Sequence, residues 1–158
     1  MNEIERLQDQ LRRSYDGEAW HGPPLRELLE DVNAETAAVR PIAGGHTIWE
    51  LVLHITAWQD AARRRLEGDP AHLSDQEDWP PVLAMGEDAW RDTLTALEVT
   101  RSRLVDAVDG LTEAELFLPV IEQSYSVYGL LHGVVQHDLY HAGQIALLKK
   151  AAQRQDTG

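Results

Sequence analysis

Near the C-terminal end, His132-Gly-Val-Val-Gln-His137-Asp-Leu-Tyr-His141-Ala-Gly-Gln-Ile-Ala-Leu-Leu148 reads as a helix, and this stretch constrains the fold more than any other. Its core-facing stripe holds Val134, Ile145 and Leu148, with His137 and His141 between them. Residues four apart lie roughly 40° apart around a helix, so both imidazoles point the same way. Polar groups inside an apolar stripe must find partners when the stripe is buried. The surrounding chain must therefore supply either ordinary hydrogen bonds or partners for a metal ion.

The rest of the sequence supplies three more helices to bury that stripe. Ile4, Leu7, Leu11 and Tyr15 recur at three- and four-residue steps, and Gly17 closes the segment. Trp20-His21-Gly-Pro-Pro24 is a loop, with Pro24 suited to the first turn of a short helix carrying Leu25, Leu28, Leu29 and Val32. After the break Pro41–Gly45, Thr47-Ile-Trp-Glu50 has the capping-box pattern and opens a helix to about Glu67. Its stripe is Ile48, Leu51, Val52, Ile55, Trp58 and Ala62, with His54 on the edge, suited either to a cleft or to half-hydration. Residues 68–86 read as a long connection with an acidic patch at Asp75, Glu77 and Asp78 and an exposed His72. Trp90, Leu94, Leu97, Leu104 and Val108 make the third long helix, ending at Gly110. Thr112-Glu-Ala-Glu115 opens a short turn before Pro119, and Ser126 is the N-cap of the last helix, which is expected to reach about Lys150.

No strand pattern and no repeat is evident, so the expected fold is all-α: a four-helix bundle with long irregular connections over residues 1–150 and a polar tail over 151–158. Val135, Leu139 and Ala146 lie opposite the histidine stripe, and this second apolar face points to a homodimer or to wrapping by the loops.

Composition excludes several function classes. With 27 acidic against 14 basic residues and a net charge of −13, the chain is poorly suited to neutralising phosphates, and no nucleic-acid partner is expected. The Arg63-Arg64-Arg65 cluster is read as a solvated face near a helix C-terminus, where cations suit the dipole. No apolar run approaches the ~20 residues of a membrane span, and the N-terminal residues lack a signal-peptide order. A cytoplasmic protein without a membrane partner is expected. The chain has no cysteine, so any metal site must use nitrogen and oxygen donors.

Neutral imidazole suits zinc, nickel and iron(II), and His137 and His141 can supply two ligands from one helix face. His54 is the best third candidate. His132, roughly 140° from His137 around the helix, is a poorer one. Asp138 stands where a His-Glu-x-x-His protease would carry Glu, which argues against that class. Around these ligands, Gln144 either orients a ligand or bonds another helix. Arg101 either lies along the apolar surface with its head in water or paired, or faces a cleft able to hold an anion. Asp138 and Glu50 are surface carboxylates or acceptors for imidazole N–H groups.

At these residues the chain resembles the DinB/YfiT superfamily of four-helix-bundle metalloproteins. His46-Thr-Ile-Trp-Glu-Leu-Val-Leu-His54-Ile-Thr-Ala-Trp58 is similar to that family's second-helix motif, and His137-Asp-Leu-Tyr-His141-Ala-Gly-Gln-Ile145 to its final-helix motif. Trp20-His-Gly-Pro-Pro24 and Asp78-Trp-Pro80 look like its connections. The resemblance implies a divalent metal (Zn, Ni or Fe) on His54, His137 and His141, with water completing the shell. It further implies a metal-dependent S-transferase that uses a low-molecular-weight bacterial thiol and an electrophilic substrate. The alternatives are a metal-dependent hydrolase or a non-catalytic metal-binding stress-response protein. Homodimers are common in the family.

Overall fold

The computed structural model describes residues 1–155 and is all-helical, with no strand among those residues. In chain order the helices are α1 (Glu3–Tyr15), α2 (Leu25–Leu29), α3 (Ala34–Ala38), α4 (Ile48–Leu66), α5 (Asp75–Asp78), α6 (Glu87–Asp109) and α7 (Val127–Gln155). A single 3₁₀ turn at Glu115–Phe117 precedes α7. The four long helices α1, α4, α6 and α7 form the bundle: α4 packs on α6 and α7, and α1 on α7 and α6.

Local sequence explains most of the boundaries. Reciprocal capping boxes join Asn2 to Glu5 at α1 and Thr47 to Glu50 at α4, satisfying two backbone N–H groups each. Ser126 Oγ accepts from Gly129 N–H at the start of α7. Gly68, at φ 89°, gives α4 its left-handed exit. Three elements depart from the sequence reading. Helix α2 stops at Leu29, and a separate α3, capped by Asn33, follows it. The 68–86 connection contains the one-turn α5, started by a Ser74–Glu77 capping box. Helix α7 also continues to Gln155, with Ala152 in the core, so five residues assigned to the tail are helical. The remaining tail residues, 156–158, lie outside the described residues.

The apolar core falls into two clusters. One gathers Leu28, Ile48, Trp49, Leu51, Ile55, Trp90, Leu97, Ile145 and Leu148. The other gathers Leu7, Leu11, Ala62, Leu104, Val108, Leu131 and Val134. On each of α4, α6 and α7 a buried polar residue sits between the two clusters: Gln59, Arg101 and Asp138. This polar waist places hydrogen-bonding groups in the middle of the bundle, next to the histidines. No described helix is long and apolar enough to cross a membrane.

Candidate metal centre

Helix α4 contributes His54, and α7 contributes His137 and His141, to one cluster whose ligand nitrogens all lie within 4.8 Å of one another. His137 Nε2 is 3.0 Å from His54 Nε2 and 3.1 Å from His141 Nε2. His54 and His141 are each only 5% exposed, and His137 is half-buried.

The outer nitrogens show how the rings are held. His54 Nδ1 lies 2.7 Å from the Asp78 carbonyl oxygen, and His141 Nδ1 lies 2.6 Å from Gln144 Oε1. A carbonyl oxygen only accepts, so both Nδ1 atoms carry the proton and both Nε2 atoms present lone pairs. His137 Nε2 faces both lone pairs and can offer at most one proton between them. Three neutral imidazoles thus converge with more acceptors than donors. Tetrahedral zinc, with nitrogens at about 2.0–2.1 Å, separates neighbouring nitrogens by roughly 3.3 Å, close to the spacings here. The donor set fits a divalent cation, and the three histidines can hold one.

Electrostatics favour that neutral, ligating form. Burial lowers the pKa of all three rings. For His137, burial and the neighbouring His141 and His54 bring it down to about 3. The Asp78 backbone carbonyl, with its carboxylate, opposes the shift at His54, and the Gln144 amide opposes it at His141.

Helix α5 fastens the rim. The Trp58 indole N–H donates to Asp78 Oδ1 at 2.6 Å, and the same oxygen is 3.2 Å from His54 Nδ1. Trp79 is stacked between His46 and His54, with ring centroids 3.6 and 3.8 Å away and planes within 6°. Each of these contacts fixes the orientation of His54, which is how outer groups tune a metal ligand.

Several residues singled out in the sequence lie elsewhere or act otherwise. Gln144 neither bridges helices nor faces outward to a ligand; it bonds His141 within α7. Arg101 is 4% exposed and turned to Asp138 (3.3 Å) and the Leu11 carbonyl, with its guanidinium over Tyr15, so it is the paired reading that holds and not the anion cleft. Asp138 is not a surface carboxylate. It is fully buried and accepts from Gln59 Nε2 at 3.0 and 3.2 Å, touching no imidazole. Burial raises its pKa to about 6, against the pull of Arg101 and Gln59. Glu50 caps α4 and pairs with Arg40 at 2.6 Å, with His46 3.5 Å away. His132 packs edge-on to Tyr128, away from the cluster. The arginine cluster also divides: Arg63 and Arg64 pair with Asp60, Glu67 and Asp69 at the surface, but Arg65 turns inward and is 8% exposed.

Sequence reasoning missed Asp78, Trp79 and Gln59 as parts of this region. The Ser74-x-x-Glu77 pattern was a readable signal for α5, and with it for the turn that delivers Asp78. Nothing in the pattern of α4 marks Gln59 as buried apart from its place seven and four residues after the stripe residues Val52 and Ile55.

A cavity of about 360 Å³ adjoins the cluster between α4 and α7. His137 and Trp58 line it, together with Arg65, whose guanidinium stands 5.3 Å from the Trp58 ring, and Tyr125. A larger groove, about 1330 Å³ between residues 15–32 and α6, is lined by none of the three histidines.

Among curated proteins and among solved structures, no match to the chain is found. The family model of the DinB superfamily matches residues 19–145, a span that contains α4, the α5 rim and all three clustered histidines. A helical bundle with this histidine set, covered over most of its length by that model, belongs to the DinB superfamily.

Proposed function

We propose that the protein is a divalent-metal-dependent S-transferase that joins a low-molecular-weight bacterial thiol to an electrophilic small molecule. The observation that carries this reading is the convergence of the His54, His137 and His141 ligand nitrogens, with His137 also lining a cavity between α4 and α7. His54, His137 and His141 would hold a divalent ion, which when bound would lower the pKa of a thiol or water. The chain's own residues supply the rest. Asp78 and Gln144 hold two of the imidazoles as Nδ1–H tautomers, and Trp79 stacks on His54 to exclude water from that ring face. In the transfer, the thiolate sulfur bonds to the electrophilic carbon, the leaving group departs with its bonding pair, and the thiol proton passes to solvent.

A further feature supports a thiol over water as nucleophile. Among the described residues no Asp or Glu lines the cavity, and Asp78 sits behind His54, on the Nδ1 side. A general base for water must lie within hydrogen-bond reach of it. A thiol, with an ordinary pKa near 8.5, needs less help to ionise. We further propose a cytoplasmic setting, where such thiols are reduced, and a homodimer formed through the exposed Tyr140 and Leu147 on α7.

The test is a conjugation assay with zinc-, nickel- or iron(II)-loaded protein, a panel of bacterial thiols and 1-chloro-2,4-dinitrobenzene. Metal-dependent conjugate formation that chelation removes and His141→Ala abolishes is expected. Stoichiometric metal with no conjugate from any thiol would overturn the transferase reading, and ester or amide turnover by the same loaded protein would replace it with hydrolysis.

A further inference from the structure

The cavity beside the triad has a polar end that neither the metal site nor the fold accounts for. Arg65 reaches it from the last turn of α4. Its Nε donates to the Pro70 carbonyl at 3.1 Å, Nη2 to the Ala71 carbonyl at 3.1 Å and Nη1 to the Tyr125 hydroxyl at 3.0 Å. A guanidinium has five N–H groups, and these bonds engage three of them. The group stands over Trp58 at 5.3 Å. Among the described residues it forms no ion pair, whereas its neighbours Arg63 and Arg64 each do. A buried cation without an anion is costly. Here the loop that receives it is itself strained: Ala71 is held at φ 46°, a left-handed conformation unfavourable for a residue with a Cβ.

Two other wall features point to a ligand. Gln59 is 1% exposed and gives its N–H₂ to Asp138, which leaves its Oε1 buried with no hydrogen-bond partner. Gly133 leaves open space, since a Cβ there would meet nothing within 4 Å. The remaining wall is apolar, with Ala62, Leu130 and Val134. The volume is that of a small-molecule pocket. Along α7 the cavity spans nine residues, Gly129 to His137, or about 12 Å at the rise of a helix.

We propose that this cavity binds an apolar organic carboxylate, with the carboxylate on Arg65 and the Tyr125 hydroxyl and the opposite end at the histidine triad. A carboxylate is the planar, bidentate partner that the free face of a guanidinium selects. A donor group midway along the ligand would meet Gln59 Oε1. The inference deepens the transferase reading by naming the class of its electrophile, and it rests on that reading only for the chemistry at the triad end.

The experiment is a titration of the full chain with 4-phenylbutyrate and with its uncharged counterpart 4-phenylbutan-1-ol, followed by Trp fluorescence and calorimetry, in zinc-loaded and in zinc-stripped protein. The acid is expected to bind at least ~10-fold more tightly than the alcohol in both forms, since a bidentate charged contact exceeds a neutral one by about that factor. Gly133→Leu, which fills the cavity, should weaken both probes at least ~10-fold while zinc stoichiometry is retained. Arg65→Gln should bring acid and alcohol to equal affinity; because it also loosens the 70–71 loop, the ratio is the readout and not the absolute constant. Equal binding of acid and alcohol to the parent protein would overturn the proposal, as would unchanged binding to folded Gly133→Leu. Acid binding that vanishes on zinc removal would also overturn it, placing the carboxylate on the metal. Because stripped protein lacks the triad chemistry, selective binding there alongside a failed conjugation assay would reject the transferase and leave the carboxylate site standing.

Discussion

His137 and Asp138 are adjacent in sequence, yet they belong to two buried polar clusters of opposite character. Asp138 turns to Arg101 and Gln59, so a carboxylate meets a guanidinium and an amide N–H₂, and donors match acceptors across α4, α6 and α7. The Leu11 carbonyl brings α1 into the same network. His137 turns to His54 and His141, where three like groups face one another with too few protons to share. The first cluster is neutralised from within and leaves only Gln59 Oε1 without a partner among the described residues. The second is balanced only by a cation. Burial explains neither difference, because both clusters are buried; the complementarity of the groups does. A closed polar network fixes how four helices meet, and an open one beside it is where a function can be placed.

The comparison breaks most severely if Asp138 is removed. Asp138→Ala leaves Arg101 buried without its anion, and a loss of about 3–5 kcal/mol in unfolding free energy is expected. Denaturant titration of the metal-free chain checks it. The double variant Arg101→Met/Asp138→Leu should recover most of that loss, because an apolar pair of similar volume replaces the ion pair. If the single change costs less than about 1 kcal/mol, the waist is not a closed unit. His137→Ala should show the reverse profile. Its zinc affinity should fall by more than the ~100-fold typical of losing an outer-shell partner, while the metal-free chain stays within about 1 kcal/mol of its parent. Metal-competition titration and thermal melts of the stripped protein separate the two quantities. Gln144→Leu comes next in size: His141 loses its Nδ1–H acceptor, and about 10-fold weaker zinc binding is expected with unchanged metal-free stability. An unchanged affinity would show that Gln144 does not orient the ring.

How much of this was legible in the sequence follows from the range of the interactions. The helices announce themselves through local signals, such as the three-to-four spacing of Leu7 and Leu11 or the Thr47–Glu50 capping box, and both appear as read. The His137–His141 pair is equally local, set by one helical turn. His54 lies 83 residues before His137; its place on the edge of the α4 stripe makes it the best third candidate, and the resemblance to a family motif strengthens that link. Asp138 was misread because single-helix periodicity places it off the histidine stripe, and nothing local shows that α6 delivers Arg101 to that side. Arg65 was misread for a similar reason. A cation in a last helical turn suits the dipole whether it faces water or the core, and the choice is made by the Pro70–Ala71 turn and by Tyr125, 60 residues away. The α5 rim is a different case: its capping box was local and readable, but a four-residue helix has too few positions for any periodicity.

The smallest expected effect distinguishes the clusters by sign. In the metal-free chain the three histidines have lowered pKa values, His137 near 3, against an ordinary 6.5 when unfolded. Between those limits the unfolded chain takes up protons that the folded chain refuses, so stability falls as pH falls below about 6.5, and above it this contribution is constant. Asp138 works the other way. Its folded pKa is raised to about 6 from 3.8, so within that window the folded chain holds the proton more tightly and stability rises as pH falls. Half-buried carboxylates with lowered pKa values, such as Asp9 and Asp69, lose their contribution mainly below their ordinary value of 3.8, outside most of this window. Three groups oppose one, so a net acid-side loss between pH 6.5 and 4 is expected in stripped protein. His137→Asn should make that slope shallower, since one proton-refusing group is gone. Asp138→Asn should make it steeper, since the only opposing group of the pair of clusters is gone, even though the variant starts from a lower stability. Unfolding curves at half-unit pH steps provide the test. Slopes that shift in the same direction for both variants would mean that His137 and Asp138 titrate as one coupled unit, and the division of α7 into an open and a closed face would fail with it.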